Sequence, residues 1–342
     1  MTTTDAAVPD AYAAAGVSFD AGDRAIEQIA DAVKETHTDA VVAGVGSFGG
    51  VFDLAGLGMD QPLLVSSTDT CGTKTVLAAE LNMWAGIGAD IVNHGVNDVL
   101  VQGARPLFML DTISAGRLDP DIVGTVVRSM AAACKANGCV LLGGETAEVP
   151  GLITPDGVDV AGTMVGAVDR SELLPSPDIN PGDVLVGLAS SGLHTNGYSL
   201  ARKLGAEYGY DRPVPGSEVP LGEALLAPHR SYLEPLAATL AAGGVKALAH
   251  LTGGGFQDNI PRCLPEGLGA EVDTSSWETP PLFTWLQEAA RIASDEAHRI
   301  WNMGIGMVAV VAPANVDAFR ALVPEETWVV GSITPTPGVI LT

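Results

Sequence analysis

Two hydrophobic periods, one helical and one strand-like, take turns along the chain. Ile26, Ile29, Ala30 and Val33 recur at helical spacing, which predicts a helix from about residue 18 with Asp20 as its cap. Ala40 to Val45 reads as a short strand that runs into a glycine loop. Leu63-Leu64-Val65 leads a second strand ending at Asp69, and a helix from about Thr73 to Ala85 follows with Leu77, Leu81 and Trp84 on one face. Pro106 to Asp111 reads as a further strand. Asp119-Pro120-Asp121 is a strong helix start, since a carboxylate cap and a first-turn proline both suit that end, and Ile122, Val126, Met130 and Cys134 form the stripe behind it. Val140-Leu141-Leu142 and Val158 to Val168 read as strands.

Leu174 to Gly182 contains Pro175, Pro177 and Pro181 and is the best linker in the chain; from Asp183 to Ala189 a second series of strands and helices begins. The alternation predicts an α/β (α+β) fold with two α/β domains, over residues 18–174 and 175–342, preceded by a flexible arm over residues 1–17. A length of 342 residues and 47% hydrophobic content suit two cores. The mean hydropathy of +0.28 is high. No apolar run reaches the roughly 18 residues that cross a bilayer, so the hydropathy reports buried strands and Ala-rich helices, and no membrane partner is expected. The first 20 residues carry acidic groups and no Lys or Arg, unlike a secretory or transit leader, and a cytoplasmic enzyme is expected.

Cys71, Cys134, Cys139 and Cys263 show no metal or redox spacing. A net charge of −24 repels polyanions, which argues against nucleic acid as a partner. An anionic small-molecule substrate would have to be met by local Lys, Arg and metal. Arg105 and Arg117 are candidates, and both serve equally well as surface ion pairs.

Two polar runs at strand ends carry the candidate chemistry: Asp69-Thr70-Cys71-Gly72-Thr73-Lys74 and Gly143-Gly144-Glu145-Thr146-Ala147-Glu148-Val149-Pro150-Gly151. Carboxylates suit a hard divalent ion, and glycine lets backbone N–H groups approach phosphate oxygens. Lys74 opens a helix, where ammonium and helix N-terminus both favour an anion, although a solvated surface lysine is the plain alternative. The run is not a Walker A loop, because Lys74 does not follow a glycine directly. Gly44 to Gly49 matches G-x-G-x-x-G, with Asp69 twenty residues beyond, but Val51 to Ala55 runs into Gly56 and Gly58 where a dinucleotide fold needs a long helix. Asp69 and Asp98 read on their own either as metal ligands or as a turn residue and a helix cap. His194 lies in a loop too polar for core, which favours substrate contact or proton transfer over a structural role. Thr252-Gly253-Gly254-Gly255, after His250, reads as an anion nest at a helix start.

Val96 to Ala104, His194 to Ser199, His250 to Gly255 and Asn302 to Met307 complete six ordered blocks with the two runs above. With them the chain resembles the phosphoribosylformylglycinamidine cyclo-ligase (AIR synthetase) family, ATP-dependent ring-closing enzymes of purine biosynthesis, from Tyr12 to about Ile333. That family usually has Gly and Val where this chain has Thr70 and Cys71, a departure that touches only the loop's backbone path. The resemblance implies metal ligands at Asp69, Asp98 and Glu145, with Asp111 a further candidate. It implies ATP contacts at Gly46, Gly49, Gly50, Asp69, Gly72, Thr73, Lys74, Gly143, Gly144, Glu145 and Thr146, the glycine loop acting as a flap. Substrate contacts are implied at His194, Thr195, Asn196, Thr252, Gly253 and Gly254, and catalytic roles at His194, Lys74 and Asp98. ATP and Mg²⁺ are the implied cofactors, with a monovalent cation left open. A homodimer in which N-terminal strands form a shared barrel is also implied. The alternatives are a thiamine-phosphate kinase or selenophosphate synthetase type of enzyme, or a non-catalytic nucleotide-binding subunit.

Overall fold

The computed structural model describes residues 18–44, 47 and 49–342, so the arm over residues 1–17 and Gly46 lie outside the described residues. Helix α1 (Phe19–Lys34) is capped by Ser18, whose side chain accepts from Ala21 N at 3.2 Å. Asp20 is therefore not the cap and sits in the first turn, where its charge still suits the positive helix end. Among the described side chains of α1, Ala21, Ala25 and Val33 are buried, while Ile26 faces outward. Small residues let α1 approach α4 (Pro120–Ala136), the helix against which it packs.

After a small hairpin of β1 (Val41–Ala43) and β2 (Val51–Phe52), the first sheet runs in the order β3 (Pro62–Thr70), β6 (Val158–Asp169), β4 (Arg105–Ala115), β5 (Val140–Glu148). Parallel strands β4 and β5 are joined through α4, which starts as its sequence predicts: Asp119 accepts from Asp121 N at 2.9 Å and Val126, Met130 and Cys134 are buried. Helix α2 (Lys74–Leu81) stops at Asn82, short of Ala85, in a left-handed turn with φ 50°.

The main local departure is α3 (Ile87–Leu100), whose sequence shows no clean helical stripe. Eleven of its 14 residues are buried, because β3, β4, β6 and α4 pack around it. A Cβ at Gly88 would lie 2.1 Å from the Val126 carbonyl oxygen, so α3 and α4 touch backbone to backbone there. Asp98 thus lies inside a helix, and the cap reading fails for it.

The second sheet has the order β12 (Gly338–Leu341), β9 (Gly269–Val272), β11 (Thr327–Thr334), β7 (Val184–Ala189), β10 (Ile305–Val311), β8 (Val245–His250). Only the β12–β9 pair is parallel. Helices α5 (Tyr198–Tyr208), α6 (Leu221–Leu225), α7 (Leu233–Ala242), α8 (Gly255–Asn259), α9 (Pro281–Ala290), α10 (Ser294–Ile300) and α11 (Val316–Leu322) belong to this half. The halves share apolar packing. One cluster runs from Ile91 and Val96 to Leu193, Tyr198 and Leu286, and another joins Leu100 to Tyr232 and Leu248. Among the described residues no helix is long and apolar enough to cross a membrane.

Candidate functional site

Lys74 opens α2, but its side chain turns into the protein and is fully buried. Its Nζ donates to Asp90 Oδ1 at 2.8 Å, to the His194 carbonyl at 3.0 Å and to the Ala227 carbonyl at 2.8 Å. An ammonium has three N–H donors, and all three are used. Asp90 Oδ1 also accepts from His229 N at 2.7 Å. One ion pair from the first half thereby holds two loops of the second. The phosphate contact expected of Lys74 has no donor left to make it, and the surface-lysine alternative fails as well.

Four of the six histidines meet beside this pair. His94 comes from α3, His194 from the loop after β7, His229 from the segment before α7, and His250 from the end of β8. The His194 ring stacks on His229 with centroids 3.9 Å apart and planes 15° from parallel. His229 Nε2 lies 3.0 Å from His250 Nε2, and Thr195 Oγ1 lies 2.7 Å from His94 Nδ1. Carboxylates face the outer nitrogens: His94 Nε2 is 2.9 Å from Asp69 Oδ2 and 3.5 Å from Asp98 Oδ2, and His250 Nδ1 is 2.9 Å from Asp98 Oδ1. Ser67 Oγ donates to Asp98 Oδ2 at 2.6 Å.

Burial raises the Asp98 carboxyl, but the His250 and His94 rings and the Ser67 hydroxyl outweigh it and hold the group down at about 2. Asp69 is lowered in the same way, with His94 and the Thr70 N–H prevailing over burial. Burial depresses His94, yet the neighbouring Asp69 and Asp98 carry it above its ordinary value. Burial, reinforced by neighbouring cationic groups, pushes His194 and His229 well below theirs. His250 is lowered too, chiefly by burial.

His194 is a correction to the sequence reading: it is fully buried, and its surroundings are a polar core, not a solvated loop. Its φ of 59° is left-handed, a strained setting for a non-glycine residue, and the Lys74 ammonium and the Tyr198 hydroxyl both hold its carbonyl. His250, by contrast, lines an open cleft of about 450 Å³ between the halves, together with Ser67, Asp98, Asn259 and Arg262.

The other expected residues fall into two groups. Asp69, Asp98, Thr195 and the Thr252 to Gly254 loop gather at the junction. Asn259 Nδ2 ties that loop by donating to the Gly255 carbonyl at 2.8 Å, and a Cβ at Gly255 would lie 1.7 Å from the His298 carbonyl oxygen. Across the same junction Thr73 Oγ1 lies 3.3 Å from Ser199 Oγ, and Asn196 comes close to Gly253. Gly72, with φ 56°, makes the bend from β3 into this contact.

Gly143, Gly144, Glu145 and Thr146 do not join them. They lie within β5 as ordinary strand residues, not in a loop, and Gly50 packs on Leu142 of that strand. Asp69 pairs with Gly162, Gly162 with Asp111, and Asp111 with Gly144, so these four share one row and one face of the sheet. Glu145, the next residue, points to the opposite face, and one chain cannot bring it to Asp69 or Asp98. Asp111 is on the correct face but two strands from Asp69, about 10 Å away. Burial pushes its carboxyl up to about 7. Arg105 donates to the Leu57 carbonyl and Arg117 pairs with Asp156, both away from the junction. His94, His229, Asp90, Asn97 and Arg262 were not singled out from sequence; the only signal was the i, i+4 spacing of His94 and Asp98.

Two α/β halves with a carboxylate and histidine cluster at their junction define a class. Residues 49–168 and 180–342 match the family models described as AIR synthase related protein, N-terminal domain and C-terminal domain. The chain belongs to the phosphoribosylformylglycinamidine cyclo-ligase family: it is 46% identical over 336 residues to the enzyme of that name from Polaromonas sp., covering 97% of each chain. Solved structures share the fold at much lower identity. Escherichia coli HypE has a TM-score of 0.68 at 19% identity, covering 94% of this chain and 92% of that one. A HypE hydrogenase maturation protein in complex with ATP has a TM-score of 0.61 at 19% identity, covering 91% and 86%.

Lys74→Met leaves the Asp90 carboxylate buried without its counter-ion and is expected to cost about 3–5 kcal/mol of stability. Lys74→Met combined with Asp90→Asn should recover a large part of that loss. Denaturant unfolding of the two variants checks it, and a single variant as stable as the parent would show that the pair is not coupled to folding.

The buried neutral histidines set a second expectation. Their folded pKa values lie below the ordinary 6.5, so an unfolded chain takes up protons that the folded chain refuses as the pH falls. Stability is then full above about pH 6.5 and is lost below it at about 1.4 kcal/mol per pH unit per site. His94, shifted upward, works in the opposite sense, stabilising below 6.5 and ceasing to do so as the pH rises. The melting temperature should fall from about pH 7.5 to about pH 5.5, less steeply in His229→Gln. Equal slopes in the two proteins would remove His229 from this account.

Proposed function

We propose that the chain closes the imidazole ring of 5-aminoimidazole ribonucleotide from formylglycinamidine ribonucleotide, consuming ATP and releasing ADP and phosphate, in purine biosynthesis. The near-full-length likeness to a curated cyclo-ligase carries this reading. ATP phosphorylates the substrate's amide oxygen, turning a poor leaving group into phosphate; the amidine-side nitrogen then attacks the same carbon, phosphate leaves, and the ring closes. No nucleophile from the protein is needed. The protein's part is to hold both ends of one substrate in the attacking geometry and to present fixed charges where phosphoryl charge develops.

The junction cleft suits that part. Asp98 is ionised at its wall, Ser67 and Asn259 offer hydrogen bonds, and Arg262 supplies a cation for an anionic ribonucleotide in a protein of net charge −24. His250 takes the substrate-facing role first assigned to His194, because His250 lines the cleft and His194 is packed behind it. Mg²⁺ fits this cluster poorly. Asp69 and Asp98 supply the oxygen atoms it favours, but His94 Nε2 stands between them, and Mg²⁺ takes nitrogen ligands reluctantly.

A homodimer belongs to the same reading. The outer face of the first sheet presents Leu64 and Leu110 to solvent, 60% and 38% exposed, with Phe108 only partly covered beside them. A second copy laid against that face would bury them.

Incubating the protein with formylglycinamidine ribonucleotide, ATP and Mg²⁺ should yield aminoimidazole ribonucleotide and ADP in equal amounts, with little ADP formed when the substrate is left out. Asp98→Asn should lower turnover by about 10²–10⁴-fold. ADP formation indifferent to the substrate would sink the assignment, and an Asp98→Asn enzyme of full activity would remove that residue from the site.

A further inference from the structure

We propose that Arg262 receives the phosphate group of the ribonucleotide, with Asn259 as the positioning residue that sets its guanidinium, so that the substrate lies in the junction cleft with its amide and amidine end toward Asp98. The inference rests on the reading of that cleft as the ribonucleotide site and states which end of the substrate goes where. Asp98 enters the cleft from the last turn of α3, beside Ser67 of β3 and His250 of β8. Arg262 enters from the turn that follows α8, and it is the only Lys or Arg among the residues lining the cleft. It forms no ion pair with any described residue. The other basic candidates for an anionic substrate are spent or elsewhere: Lys74 is bound to Asp90 and two carbonyls, and Arg105 and Arg117 lie away from the junction.

A guanidinium carries its N–H donors in a rigid fork. Here Nη1 is committed, donating to Asn259 Oδ1 at 3.2 Å. Nε and Nη2 have no acceptor among the described residues, and an edge of two parallel N–H groups is what takes two phosphate oxygens side by side. The committed bond gives the fork its direction, because Asn259 cannot turn. Asn259 is buried, and its Nδ2 faces three carbonyls, those of Gly255 at 2.8 Å, Gly253 at 3.3 Å and Thr252 at 3.4 Å. Its Oδ1 accepts from Thr252 Oγ1 at 3.2 Å as well as from Arg262. A reversed amide would set its oxygen against three carbonyls and its N–H groups against those of the guanidinium, so one orientation alone satisfies the site. Asn259 thereby joins Arg262 and the Thr252 to Gly255 loop into one unit.

The two wall charges then choose an orientation. A phosphate group is repelled by the Asp98 carboxylate and drawn to the guanidinium, and no second cation among the lining residues competes for it. The amidine end, a cation when protonated, has the opposite preference. A substrate with opposed charges at its ends fits opposed charges in the cleft one way round, and the reversed pose pairs like with like. The favoured pose sets the amide whose oxygen is to be phosphorylated on the side of Asp98 and His250, and it leaves the ribose phosphate as the handle by which the substrate is held.

Calorimetric titration with ribose 5-phosphate tests the site without any turnover. The parent protein should bind ribose 5-phosphate and not ribose, and Arg262→Gln should weaken that binding by about 10–100-fold, the scale of hydrogen bonds to a charged group. Arg262→Lys should keep part of the affinity, since it retains the charge and loses the fork, and it covers the case in which Arg262→Gln fails to fold. In turnover assays Arg262→Gln should raise KM for formylglycinamidine ribonucleotide by a similar factor, with KM for ATP far less affected. Asn259→Ala should raise the same KM but add little on top of Arg262→Gln, because a residue that acts through Arg262 then has nothing to position. A full additional loss in the double variant would overturn the positioning role of Asn259. Equal ribose 5-phosphate binding by the parent and Arg262→Gln, no binding by the parent, or an unchanged KM would overturn the phosphate site. A parent that closes no ring, yet binds ribose 5-phosphate through Arg262, would sink the proposed reaction and leave the site standing.

Discussion

Taking an ammonium and a carboxylate completely out of water costs several kcal/mol for each ion, and their mutual attraction offsets this only when other polar groups complete both shells. For Lys74 those groups are the His194 and Ala227 carbonyls, and for Asp90 the His229 N–H, all from the second half of the chain; both bonds to Asp90 fall on Oδ1, and its Oδ2 is buried without a partner among the described residues. The first half cannot bury this pair alone. Docking of the two halves and burial of the charges are one event, and the apolar clusters that run across the junction seal it from water. The loop backbones at 194 and 229 then have little freedom, because each is bonded to a charge that cannot leave.

That constraint explains the histidines. With their loops pinned, His194 and His229 stack face to face, and His229 reaches His250, whose far nitrogen meets Asp98. Asp98 belongs to α3, as do Asp90, His94 and Asn97. One helix thus presents the buried charge, the amide that orients His229 and both groups that face the carboxylate cluster. Its burial on nearly every side is the cost of placing four polar side chains against the second half, and Gly88 and Gly95 let neighbours come close enough to support it.

The elements that could be read from sequence were those whose determinants are local. Asp119-Pro120 announced α4, Leu63 to Asp69 announced β3, and the proline-rich stretch near residue 175 separates strands of the two sheets. Helix α3 stayed hidden because Ile87 to Leu100 holds two glycines and two asparagines and is apolar around most of its circumference, so neither propensity nor stripe marks it. The reading of Lys74 failed for a related reason. A D-x-x-G-T-K run specifies a helix start, whereas the partner that draws the ammonium inward lies sixteen residues on, in that hidden helix. His229 and Asp90 sit outside the glycine-rich blocks, and their roles exist only through contacts across the junction.

Glu145 shows how strand alternation limits inference from a motif. Folding the run Gly-Gly-Glu-Thr as a strand puts Gly144 on the face of Asp69 and Asp111, where its missing side chain makes room for the Asp111 carboxyl, and sends Glu145 to the other face. A slip of one residue would have reversed the two. The face that receives Glu145 is also the one on which Leu64 and Leu110 are exposed, so the two faces of the first sheet carry separate constraints. The inner face is committed to α3 and, through it, to the carboxylates and histidines of the junction. The outer face is free of that network, and whatever covers it can meet Glu145 without disturbing the charges that hold the two halves together.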